Sequence, residues 1–195
     1  MGYEITAYLV DEVRVGQFYG CNDEGQVVAI AERHAEHIAR SDAGFASEIE
    51  QGAPTLVAAV RALAFATVDR TIDAHAFQYR YALALVCEHL GERLEETIRL
   101  NPKGIAASKE LARLLAPGLL PMPISREGDF PVIGFLSRGQ ITRKLSGSVA
   151  AQLASGAALP TWLVWPKPLL AERATYVSWL ERAAAKRLDL VGFYH

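Results

Sequence analysis

The residues best placed to do chemistry together are His34-Ala35-Glu36-His37. Positions three apart on a helix are neighbours, so the two imidazoles could share a metal ion. Helix phase argues otherwise. His34 falls in the middle of an apolar face made by Val27, Ile30 and Ile38, and His37 falls at its edge. The order is not that of an HExxH zinc site, and the spacing supplies no third ligand. His34 is therefore expected to be a core histidine with one hydrogen bond, with a metal held by His34 and His37 as the alternative.

A second group lies on one segment further along. His75, Gln78 and His89 share a side of a helix, whereas Arg80 points away from them. Fourteen residues at about 1.5 Å each separate the two histidines by roughly 21 Å, so one metal cannot use both. Tyr79-Arg80-Tyr81 interrupts an apolar run, and a buried arginine meets either a carboxylate or a ligand anion. Asp69, Asp73 and Asp129 are the acids considered for that role, and Arg61 poses the same question on its own helix. Read as a ligand site, the group comprises Arg61, His75, Tyr79, Arg80 and His89, with Asp129, beneath the proline-rich segment 116–131. No GxSxG, SxxK, P-loop or GxGxxG is present. No catalytic residue is assigned and no cofactor is expected.

Two segments read as contact surfaces. One is LLPMPISREGDFP, where Met122, Arg126 and Phe130 are the candidate contacts. The other is Pro160 to Pro168, where Trp162 and Trp165 fall on opposite faces of a short strand, which suits an interface. Packing of that strand against the last helix is the alternative.

The composition narrows the classes. Of 195 residues, 51% are hydrophobic and 22% charged, enough for a core without disulfides or a structural metal. The net charge of −2 and pI near 6.2 give no basic excess for nucleic acid. Arg138, Arg143 and Lys144 read as a solvated helix face. Cys21 and Cys87 are far apart and outside any CxxC, so free thiols in a reducing compartment are expected. The most apolar window, Pro54 to Val68, contains Arg61 and is too short to span a bilayer. Met1 to Thr6 matches the N-myristoylation pattern, but the same residues read as a strand. A soluble cytoplasmic protein follows as the expectation, with no signal peptide and no membrane partner.

The elements that position these residues follow from periodicity. Residues 3–10 alternate as a strand, and Asp11 caps a short helix that runs to Phe18. Asp23 and Gln26 open a continuous amphipathic helix through about Arg40, and residues 41–53 read as a connection holding at most one turn. Helices follow at Leu56–Val68, Ala74–Leu90 and Ile105–Leu115. Residues 116–131 carry four prolines and break the pattern. Val132–Leu136 and Thr161–Trp165 read as strands, Ser137 and Gln140 as the capping box of a helix toward Leu153, Leu169–Arg187 as the last helix and Leu188–Tyr194 as the closing strand. The expectation is a helix-rich α+β single domain over residues 1–195, with the first and last strands paired at the centre of a small sheet.

Certain short motifs carry a resemblance. Met1-Gly2-Tyr3 with Ala7-Tyr8 and Val10-Asp11, Tyr81-Ala82-Leu83 with Cys87-Glu88-His89-Leu90-Gly91, and Phe130-Pro131 with Ile133-Gly134 and Leu136 resemble a bacterial family of unknown function over nearly the whole chain. Gly134-Phe135-Leu136-Ser137 leading into a helix is similar to a second such group. The resemblance implies a bacterial cytoplasmic protein and carries over no site residue. Two functions follow as expectations. The first is a non-catalytic protein-binding or regulatory module, immunity-type in one version, whose partner is another protein or a second copy of the chain. The second is a small-molecule-binding protein or enzyme with its pocket near Tyr79 and Arg80.

Overall fold

A computed structural model describes residues 3–68, 75–115, 122, 124, 131–155 and 169–195. Within them lie four strands and ten helices, a helix-rich α+β fold. The chain forms two compact units, each assembled from separated segments.

The first unit takes residues 1–10, 93–119 and 132–195. Its sheet has the order β2-β1-β4-β3, with β1 Ile5–Val10, β2 Glu92–Arg93 (which spans the unit boundary), β3 Val132–Leu136 and β4 Asp189–Tyr194. The two chain ends are thus the central strands, as their apolar content predicts. β1 runs antiparallel to β4 with Ala7 opposite Gly192, and β3 runs antiparallel to β4 with Gly134 opposite the same Gly192. All six residues of β1 and all six of β4 are buried. Such strands are covered on both faces, which is more than their alternation indicates. Tyr8 meets Phe193 edge-to-face at 5.5 Å, and Tyr3 stacks on Tyr194 at 5.8 Å.

Ala7, Gly192 and Gly134 make a row of small residues across three strands, and α8 (Lys109–Leu114) seats there. A Cβ at Gly134 would lie 1.9 Å from the Leu114 carbonyl oxygen, and one at Gly192 would touch the Leu114 side chain at 3.4 Å. α7 (Pro102–Ala107) precedes it, with Asn101 capping through the Gly104 N–H at 2.9 Å.

α9 (Arg138–Ser155) starts from the anticipated capping box: Ser137 N–H donates to Gln140 Oε1 at 2.8 Å, and Gln140 N–H to Ser137 Oγ at 3.4 Å. The solvated-face reading of its basic residues fits the exposed Arg138 and Arg143 and needs correction at Lys144, which is one-fifth exposed. Arg138 N–H donates to the buried Asp189 carboxylate at 2.8 Å, and Lys144 pairs with the buried Glu110. Arg138 and Arg143 are both exposed, and Arg143 donates to the Gly139 carbonyl. A carboxylate in the interior must be paired, and these two cations pair them. α10 (Leu170–Lys186) carries the third tryptophan, Trp179, fully buried beside Tyr176 and Leu180 in the chain.

The second unit takes residues 11–92 and 120–131. It holds α1 Glu12–Phe18, α2 Glu24–Arg33, α3 Ala35–Gly44, α4 Ala46–Glu50, α5 Leu56–Ala64 and α6 Ala76–Leu90. Asp11 and Asp23 cap α1 and α2 as their positions indicate. α5 packs Leu56, Ala59, Val60 and Leu63 inward and ends four residues early, at Ala64. The stretch 41–53 is mostly helical. Phe45, whose ring meets Phe77 at 4.9 Å and Tyr81 at 5.5 Å, supplies the apolar anchor there. Asp42 accepts the Leu56 N–H at 2.9 Å, which ties α3 to the start of α5. The long helix expected from Asp23 to Arg40 is two helices, broken at His34. The strand expected at 161–165 lies outside the described residues.

Gly134→Ala should destabilise the protein by about 1–3 kcal/mol or more, because the new methyl meets backbone and no rotamer relieves it. Gly139→Ala, where nothing lies within 4 Å, should be neutral or raise stability by up to about 1 kcal/mol. Urea unfolding of the two variants checks both; equal midpoints would remove the seat argument.

Candidate functional site

The break between α2 and α3 builds a site from backbone first. His34 takes φ −114° and ψ 20°, outside the helical region. Its own N–H still donates to Ile30 at 3.1 Å, and its carbonyl still accepts from Ile38 at 2.9 Å. Between those two bonds the ladder is interrupted. No side chain caps the start of α3, so its first turn, Ala35 to His37, is an uncapped helix N-terminus, where the peptide dipoles present partial positive charge.

At the break the His34 side chain turns inward. Only 8% of it is exposed, and the ring is drawn inward until Nδ1 lies 4.0 Å from Glu88 Oε1 on α6. That is too long for a hydrogen bond. Nε2 is buried and has no partner among the described residues. Burial holds the imidazole below its ordinary pKa of 6.5; Glu88 pulls it upward, and Arg33, His37 and His89 push it further down. His89 behaves alike: its Nδ1 is buried without a partner, and burial, then Arg33 and Arg14, lower its pKa. Both rings are therefore neutral at pH 7.

Around His34 opens a concave notch of about 510 Å³, lined by Glu32, Arg33, His34, Ala35, Glu36, His37 and Arg40. All but His34 are exposed. Arg33 and Arg40 form no ion pair among the described residues, so both guanidinium groups are available. Among the described residues no group of three or more His, Cys, Asp or Glu side chains could hold a metal ion, so His34 and His37 gain no third ligand there.

The other candidates sit elsewhere. Arg61 is half-exposed and pairs with Glu24, its Nε donating at 3.0 Å to Oε2; the contact raises the arginine and lowers the glutamate pKa. It is a surface ion pair, not a buried arginine. Arg80 is buried and donates to the Pro131 carbonyl at 3.4 Å among its contacts. Tyr79 is buried next to it in sequence, and the half-buried His75 stands at the start of α6, at the opposite end from His89. Of the docking segment, Met122 and Ile124 are buried; Arg126, Asp129, Phe130, Trp162 and Trp165 lie outside the described residues. Both cysteines are free, and burial drives the Cys87 thiol far above its ordinary range, so it is inert.

Two features escape the sequence reading. One is the helix break, whose only signal is a histidine at the centre of an apolar face. The other is the buried polar group of the first unit: Glu110 with Lys144 and, at 3.3 Å, Arg113, next to a Tyr176 phenol that burial and the Glu110 charge push upward in pKa. Helical phase on α8 alone does not show that Glu110 faces inward.

Comparison with known proteins gives one family. A family model for a domain of unknown function (DUF7691) matches residues 1–195, so the chain belongs to that family. No curated protein and no solved structure matches significantly.

Both histidine pKa values are lower folded than unfolded, which fixes a sign. Their contribution is fully present above the unfolded value of 6.5 and is lost as pH falls toward the lowered folded values. Thermal stability should therefore fall with acidification below pH 6.5, and His34→Gln should flatten that slope. Melting curves of both proteins between about pH 8 and pH 5 decide it; an unchanged slope in the variant removes His34 from the account.

Proposed function

We propose that this DUF7691 member is a binding protein that takes a small molecule in the His34 notch. One observation carries the reading: a concave site of about 510 Å³ opens at the α2–α3 break between Arg33 and Arg40, which form no ion pair among the described residues. Ligand pockets typically run to about 300–1,000 Å³ and combine a few convergent polar groups. The notch supports the small-molecule reading at a different place from Tyr79 and Arg80.

The protein-docking reading draws less support. Its one described contact, Met122, is buried, which suits anchoring of its own segment rather than display. A regulatory role, bacterial origin and a cytoplasmic setting accord with the proposal; no helix among the described residues is long and apolar enough to cross a membrane.

A panel of small phosphorylated, carboxylated and neutral compounds, added to ¹⁵N-labelled full-length protein, tests the reading. At least one compound should shift the amide resonances of residues 32–40, with His34 and His37 among them. If every binding compound perturbs only other segments, the notch is not the site.

A further inference from the structure

We infer that the surface of α7, α8 and α9 in the first unit docks the phosphate backbone of a nucleic-acid duplex without reading its sequence. The notch of the second unit takes no part in this, so neither reading stands or falls with the other.

Charge is divided unequally between the two units. The first holds thirteen Lys and Arg against seven Asp and Glu, a net of +6; the second holds seven against fifteen, a net of −8. The whole-chain balance of −2 conceals both. Within the first unit the excess is concentrated. α7, α8 and α9 carry Lys103, Lys109, Arg113, Arg138, Arg143 and Lys144, and their one acid is Glu110. Glu110 is buried and takes Lys144, and the buried Asp189 takes Arg138. Lys103, Lys109, Arg113 and Arg143 remain in excess, and all four are exposed. Lys103, Lys109 and Arg143 form no ion pair among the described residues. Arg113 reaches Glu110 through one nitrogen and is still 65% exposed.

Packing joins these cations into one surface. Lys109 and Arg113 are four apart on α8 and share its outer side. Glu110, between them in sequence, turns inward and holds Lys144, the neighbour of Arg143 on α9. α7 runs directly into α8 through Ser108, which ends the first helix and caps the second by accepting the Leu111 N–H at 3.3 Å.

The rest of the surface selects the class of polyanion. Among the described residues of these helices no Asp or Glu is exposed, and no large apolar side chain is exposed either. A protein interface needs an apolar core, and a helix that lies on a membrane needs apolar anchors. Here the cations stand among Ala106, Ala107, Ala112, Gly139 and Thr142, all exposed and all small. Such a surface makes charge contacts at close range and little else, which is what a phosphate backbone accepts. No aromatic ring is exposed on it for bases to stack on, so a duplex fits better than a single strand.

Fluorescence anisotropy of the full chain with a labelled DNA duplex of about twenty base pairs tests the inference. Binding should be measurable at about 50 mM salt and weaken about a hundredfold by about 200 mM, as four neutralised phosphates require. A second duplex of unrelated sequence should bind within about twofold of the first. Lys109→Glu and Arg143→Glu should each weaken binding about tenfold. Arg93→Glu, on the edge strand at the far side of the sheet from β3, should change it about twofold or less. Poly-glutamate and vesicles containing phosphatidylserine are the competing polyanions. Absence of duplex binding at about 50 mM salt overturns the inference. Poly-glutamate bound as tightly as the duplex replaces the nucleic acid with an acidic protein, and tighter binding to the vesicles replaces it with a membrane surface. An equal loss from Arg93→Glu overturns the assignment to these helices. Melting temperatures close to that of the parent separate weakened binding from misfolding. Where a glutamate variant does not fold, Lys109→Gln and Arg143→Gln take its place, with a smaller loss in the same direction.

Discussion

The first unit depends on the pairing of the two chain ends. β1 and β4 lie side by side at the centre of the sheet, and every residue in both is buried. Contacts between residues 5–10 and 189–194 have almost the largest sequence separation the chain allows. Closing so long a loop costs entropy that only dense burial repays. The apolar content of both ends supplies that burial, and the row Ala7, Gly192 and Gly134 allows α8 to approach the backbone itself. β3 and β2 then add at the edges, one on each side.

Around that sheet the polar groups are held rather than excluded. Asp189 begins β4 in a buried position and accepts the Arg138 N–H, so the carboxylate completes the first turn of α9. Glu110 does comparable work between α8 and α9 through Lys144. Removing one partner of such a pair leaves an uncompensated buried charge, which costs more than the pair contributes. These pairs therefore fix which face of each helix turns inward, a choice that apolar periodicity leaves open.

That difference marks what is legible in the sequence. Strands β1, β3 and β4, the caps Asp11, Asp23 and Ser137, and the central position of the two ends follow from alternation and capping chemistry, which are local. The inward placement of His34 follows from helix phase as well. The break at His34 does not. Val27, Ile30 and Ile38 keep helical spacing across it, and no glycine or proline marks it. At the break the ring lies beside Glu88, more than fifty residues away in sequence, a contact that local periodicity does not show. Arg138 and Lys144 were opaque for the same reason, because their acids sit on distant elements. Phe45 shows the converse: one aromatic residue in a polar stretch holds helices where composition indicates a connection.

Unmet buried polar atoms are not confined to His34. Both amide atoms of Gln78, Nδ1 of His89, Oε2 of Glu172 and the Trp179 indole nitrogen also lack hydrogen bonds among the described residues. Each of these is a cost that the surrounding apolar contacts outweigh, and by itself none indicates a ligand. His34 differs in its surroundings. It lies at the break between α2 and α3, a concave notch opens there, and Arg33 and Arg40 on either side form no ion pair among the described residues. That coincidence, rather than the unmet nitrogen alone, distinguishes His34 from the other unmet groups.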